Sequence, residues 1–145
     1  MRIAAFFLFL ICTTLLVSHA VAEESVLVIV NKANQQALTL QDIRNIYADN
    51  VVTWADGRNR IKVLDLPLRD AARERFSKRV MNQSPRDVAR FWANRKITNS
   101  ARNPPLIKRA ASVISMVTRD PYAIGYIPES ALRDAPGIRV VFTLH

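Results

Sequence analysis

Side chains able to make or break bonds are scarce in this sequence, whereas side chains able to hold an anion are plentiful. Twelve Lys and Arg residues stand between positions 69 and 109, against only Asp70, Glu74 and Asp87. From residue 23 onward the rest of the chain carries eight cations and nine acids, so the formal net charge of +9 is regional rather than uniform. Such a stretch favours acidic partners at low salt without naming them, or else forms the solvated outer faces of two helices. Cys12 is the only cysteine, and His19 and His145 are the only histidines. Beyond residue 22 no thiolate remains for a disulfide, a thiolate-zinc site or a Cys nucleophile. A histidine at the last position is also poorly placed to serve a serine as base. The sequence therefore predicts a non-enzyme with no metal and no cofactor.

The start of the chain bears on where this chemistry would operate. Met1-Arg2 precedes the apolar run Ile3–Val17, and Ala20-Val21-Ala22 fits the small-x-small pattern of a processing site. The apolar run is shorter than the ~20 residues of a spanning helix. Leu10-Ile11 before Cys12 lacks the small residues of a lipoprotein site. The expectation is a signal peptide over 1–22, cleaved after Ala22, and a periplasmic single domain over 23–145 with no membrane span.

The elements that would position a site follow from periodicity. Ser25–Val30 is an apolar, β-branched run that reads as a strand covered on both faces. Thr39 with Asp42 forms a capping pair for a helix over about 39–48. Trp54 and the turn Asp56-Gly57 mark an anchored loop, and Arg60–Asp65 alternates as a second strand. Ala72, Phe76 and Val80 recur every four residues in a basic helix over 70–82. Ser84-Pro85 with Asp87 opens a third helix whose stripe is Val88, Phe91 and Trp92. Thr98–Pro105 reads as an extended connection, and Ile107, Ala110, Ile114 and Val117 as a fourth helix ending near Arg119. Ala123–Ile127 and Ile138–Phe142 are strands, with Gly125 marking a bulge or a close backbone approach. The alternation argues a single layered α/β domain with a mixed sheet. Trp54, Phe76, Phe91 and Trp92 are its expected buried aromatic anchors.

Three segments in this order carry a resemblance. They are Val28–Tyr47 leading to Val52-Thr53-Trp54-Ala55-Asp56-Gly57-Arg58, then Arg73-Glu74-Arg75-Phe76, then Asp120-Pro121-Tyr122-Ala123-Ile124-Gly125-Tyr126-Ile127. Together, over Val26 to Val141, they resemble the phosphate ABC transporter substrate-binding family. The resemblance implies one lobe of a type 2 periplasmic binding protein, since two-lobed members are far longer. In that family it implies a Ser-Gly-Thr turn that opens a helix and holds the anion through N–H groups and hydroxyls. Helix starts suit this role because their first N–H groups lack partners and the dipole favours negative charge.

Counted back from Phe76, that turn falls on Asp70-Ala71-Ala72, which lacks both hydroxyls. A carboxylate at the N-cap accepts the same N–H groups and repels a second anion. The ligand-binding candidates are thus Arg69, Asp70, Ala71, Ala72 and Arg73, with the two arginines offering guanidinium forks in place of hydroxyls. Two functions follow from the resemblance and the charge. One is an exported solute-binding domain that takes phosphate or another small oxyanion weakly or not at all. The other is an envelope interaction module whose basic surface docks an acidic protein or polymer. Nucleic acid is not an expected partner for an exported chain.

Overall fold

The computed structural model describes residues 22–145, so the expected signal peptide and its cleavage lie, save for Ala22, outside the described residues. Strand β1 (Val26–Asn31) has every residue buried and runs antiparallel to a neighbour on each side, which accounts for its unbroken apolar run. Helix α1 (Leu40–Tyr47) starts on a complete capping box, Asp42 N–H donating to Thr39 Oγ1 at 3.2 Å and Thr39 N–H to Asp42 Oδ2 at 2.8 Å. The loop that follows is pinned by Trp54, buried, whose Nε1 donates to the Tyr122 carbonyl at 3.0 Å.

Strand β2 (Lys62–Asp65) is shorter than the alternation suggested, because Arg60 instead bridges Thr53 across the loop. Helices α2 (Ala71–Met81) and α3 (Pro85–Ile97) follow, and α3 packs on α2. Ser84 caps α3 by accepting Asp87 N–H at 3.1 Å. The connection after α3, expected to be extended, instead turns at Thr98-Asn99, where Asn99 has a φ of 52°, and bends at Arg102-Asn103, whose N–H groups the buried Asp49 carboxylate accepts, both at 2.7 Å. Ile107, expected to begin the fourth helix, instead forms a two-residue strand with Leu106, β3 (Leu106–Ile107). Its backbone pairs with Leu64 and Asp65, an extended geometry that Pro104-Pro105 delivers. Helix α4 (Ala110–Arg119), strand β4 (Ala123–Pro128), a 3-10 turn at Glu129–Ala131 and strand β5 (Ile138–Leu144) complete the chain.

The sheet order is β3-β2-β4-β1-β5, with β3, β2 and β4 mutually parallel and β1 antiparallel to both β4 and β5. This is the mixed α/β sheet that the alternation implied. Gly125 lies where α4 presses on β4: a Cβ there would meet Val113 Cγ1 at 2.5 Å. At the core's centre the Phe76 and Tyr126 rings stack at 3.8 Å, with Tyr47 edge-on to Phe76 at 4.6 Å.

Of the four expected anchors, Trp54 and Phe76 are buried, but Phe91 and Trp92 are only half-buried. Val88 is the sole buried residue of α3, because this helix rests on α2 rather than on the sheet.

Candidate functional site

The turn before α2 starts where β2 ends. Asp65 leaves the strand, Leu66 and Pro67 follow, and Asp70 N–H closes back on the Pro67 carbonyl at 2.9 Å. Asp70 is the N-cap in an extended conformation, and its Oδ1 accepts Ala72 N–H at 2.9 Å. The carboxylate thus takes a donor that a bound anion would otherwise use. Ala71 is exposed and Ala72 buried, and neither supplies a hydroxyl.

The two candidate arginines part company. Arg69 is exposed and without a partner among the described residues. Arg73 turns into the core, where its Nη2 lies 3.1 Å from Asp65 Oδ2 and its Nη1 donates to the Leu66 carbonyl at 2.6 Å. Both members of this ion pair are about 5% exposed at the side chain. Asp65 Oδ1 also accepts Leu66 N–H at 2.8 Å and the Tyr126 hydroxyl. The Tyr47 hydroxyl donates to the Leu64 carbonyl at 2.8 Å.

Burial pushes the Asp65 carboxyl upward from its ordinary range, against the pull of Arg73, Tyr126 and the Leu66 N–H. Burial, and then the Asp65 charge, drive the Tyr47 and Tyr126 phenols well above theirs. The Asp65–Arg73 pair therefore holds the turn from beneath, and Arg73 offers no fork to an outside ligand.

Sequence reasoning missed Asp65, although a signal was present. An acid set between Leu64 and Leu66 at the end of a buried strand needs a buried partner. Arg73 shares the helical stripe of Phe76 and Val80, so it was the partner available.

Outside the turn lies a groove of about 630 Å³ against α2, its far wall made by Glu23 and Glu24. Arg75 ties that wall down through the Glu23 carboxylate and through the Glu24 carbonyl at 2.5 Å. Glu23, Glu24, Asp70 and Glu74 share the groove with Arg75, Lys78 and Arg79, so it is no cationic cradle.

A second helix begins at the same end of the sheet. Lys108 N–H donates to the Asp65 carbonyl at 2.8 Å, which brings Lys108 and Arg109 to the end that Arg69 occupies. Arg109 is the N-cap of α4 and makes no side-chain cap bond, and all three cations are exposed. Among the described residues, no cluster of His, Cys, Asp and Glu is placed to hold a metal, and no helix is long and apolar enough to cross a membrane.

No family model and no curated protein matches the sequence. Solved structures do. An ABC-type phosphate transport receptor from Vibrio cholerae superposes with a TM-score of 0.61 at 15% identity, over 81% of this chain and 45% of that one. A Clostridium perfringens structure, described as a phosphate ABC transporter substrate-binding protein with bound phosphate, gives 0.62 at 21% identity, over 81% and 44%. A Planctomyces limnophilus structure described as a phosphate-binding protein gives 0.60 at 17%, over 81% and 40%. The chain spans less than half the length of these proteins. Its fold is similar to one lobe of a periplasmic binding protein.

Proposed function

We propose that this chain is a non-catalytic, solute-binding-type domain of the bacterial periplasm whose anion turn is filled by its own Asp70, so that it takes phosphate or another small oxyanion only weakly. The observation that carries the reading is the Asp70 carboxylate accepting Ala72 N–H at 2.9 Å. A free anion at this helix start would meet a like charge and one donor fewer. What remains for an anion at this end of the sheet is Arg69, Lys108, Arg109 and the uncapped start of α4. An open face of this kind strips little water from a ligand, which supports weak capture. Export rests on the residues before Glu23, and mass spectrometry of periplasmic protein is expected to find Glu23 as the first residue.

Calorimetry of residues 23–145 at low salt, against phosphate, sulfate and acetate, tests the proposal. Replacing Asp70-Ala71-Ala72 by Ser-Gly-Thr removes the charge and restores two hydroxyls. About a tenfold gain in phosphate affinity is expected, equivalent to ~1.4 kcal/mol. Tight phosphate binding by the unaltered protein would sink the idea that Asp70 displaces the ligand.

A second reading has its own support. Of the twelve cations between 69 and 109, nine are exposed, while Arg73, Arg75 and Arg95 are drawn in by Asp65, Glu23 and Asp49. Such a surface suits docking to an acidic protein or polymer. If neither protein binds phosphate, salt-sensitive binding of polyglutamate that is lost on Arg86→Glu and Arg90→Glu would establish this reading instead.

A further inference from the structure

At the opposite end of the sheet from Asp70, an exposed tyrosine stands on an unusually well-fixed backbone. Lys62 and Ala123 pair where β2 and β4 begin, and Tyr122 immediately precedes β4. The Tyr122 carbonyl accepts both Trp54 Nε1 and Lys62 N–H at 3.0 Å, and Tyr122 N–H donates to Asp120 Oδ1 at 2.9 Å. Three hydrogen bonds thus hold this residue from within, yet 41% of it is exposed.

Two grooves meet at Pro121-Tyr122. One, of about 230 Å³, is lined by Asn34, Gln35, Gln36 and Asp56 beside Trp54. The other, of about 350 Å³, is lined by Lys62, Met116, Arg119 and Asp120.

The polar groups of these grooves are partly committed, and what is left over defines a ligand. Asp56 is occupied by the N–H groups of Arg58 and Asn59 and by the Asn59 amide. Lys62 is paired with Asp120. Asn34 and Gln36 each use the carbonyl oxygen, accepting Gln36 N–H and Ala55 N–H respectively, and neither NH₂ group has a partner among the described residues. Arg119 uses Nε and Nη2 on Ser115, and its Nη1 has no partner among the described residues. The surplus is therefore an aromatic face, two amide donors on one side of it, and one guanidinium on the other.

We infer that these two grooves form one site for an acidic saccharide, a pyranose ring bearing a carboxylate. The C–H face of such a ring packs on the electron-rich face of a phenol. Its hydroxyls accept from the Asn34 and Gln36 amides, and its carboxylate pairs with Arg119. An inorganic anion would leave the ring and the amides unused, and a neutral sugar would leave the guanidinium unused. The pinned backbone keeps the aromatic platform in place before the ligand arrives, which lowers the ordering cost of binding.

Nuclear magnetic resonance titration of residues 23–145 with trigalacturonate tests the assignment, with neutral chitotriose and inorganic phosphate as comparison probes. Trigalacturonate is expected to shift the amide signals of residues 33–36 and 119–123. Tyr122→Ala should weaken binding about tenfold, while Tyr122→Phe keeps the ring and stays within about twofold. Arg119→Gln should abolish the preference over chitotriose.

Unchanged affinity in Tyr122→Ala, with native circular dichroism, overturns the site, as does the absence of shifts at about 10 mM probe. Chitotriose binding as tightly as trigalacturonate overturns the acidic assignment. Phosphate shifts confined to residues 69–72 or 108–110 belong to the function proposed above, so the two proposals stand or fall separately.

Discussion

Asp65 and Arg73 show what one buried ion pair does for a turn, and what its loss should do. Taking the carboxylate away leaves a guanidinium in a dry core with no compensating charge, a worse state than having no pair at all. Asp65→Asn is therefore expected to lose ~3–5 kcal/mol of stability in denaturant titration. Arg69→Gln, immediately before the cap Asp70 and exposed to solvent, should stay within about 0.5 kcal/mol. A loss under 1 kcal/mol in Asp65→Asn would mean that Arg73 finds water or another partner. Asp70 was legible from sequence as an N-cap, because capping is decided by neighbours within three residues. The role of Arg73 was not, since a charge on an apolar stripe declares only that it needs a partner. The partner lies across the turn, on the end of another element.

Among the elements, α3 is where pattern and packing diverge most. Val88, Phe91 and Trp92 make an apolar stripe as good as that of α2, and both helices exist with their caps where the sequence placed them. A stripe states which face turns inward, not how much material covers it. Helix α2 meets the sheet and buries Phe76 at 2% exposure, while α3 packs chiefly on α2 and leaves Trp92 half-buried. Trp92→Ala should accordingly cost about 1–2 kcal/mol, and Phe76→Ala ~3–5 kcal/mol. Equal losses in equilibrium unfolding would show that α3 is covered more fully than this.

The contact of α4 with β4 gives an independent check on element packing. Gly125→Ala places a methyl 2.5 Å from Val113 Cγ1, too close unless the helix moves. A loss of about 1–3 kcal/mol is expected, partly recovered by adding Val113→Ala, which removes the obstructing methyl.

At the scale of the whole molecule the sheet order β3-β2-β4-β1-β5 joins strands far apart in the chain, with β1 inserted antiparallel beside β4. Strand existence was readable from local composition, but pairing between residues about a hundred positions apart leaves no local mark. That pairing is also what creates the tyrosine cluster. Tyr47 comes from α1 and Tyr126 from β4, and both are sealed against Asp65 at the end of β2. Their phenols sit well above the ordinary value of 10.0 because burial and the Asp65 charge both oppose a phenolate.

The consequence for stability has a definite sign. Below pH 10 both tyrosines are protonated whether the chain is folded or not, and their contribution is complete. Above pH 10 the unfolded chain sheds these protons while the folded chain keeps them, so stability falls by about 1.4 kcal/mol per pH unit for each tyrosine until the folded-state value is reached. Asp65, raised by burial, has the same sign on the acid side. Its contribution is full below the ordinary 3.8 and is lost as pH rises through the folded value, so this residue does not drive acid unfolding. Alkaline titration of the native protein should therefore show Tyr47 and Tyr126 ionising only as circular dichroism reports unfolding. Phenolate absorbance from these two residues near pH 10 in a still-folded protein would mean that water reaches the cluster, and that the sheet order does not seal it.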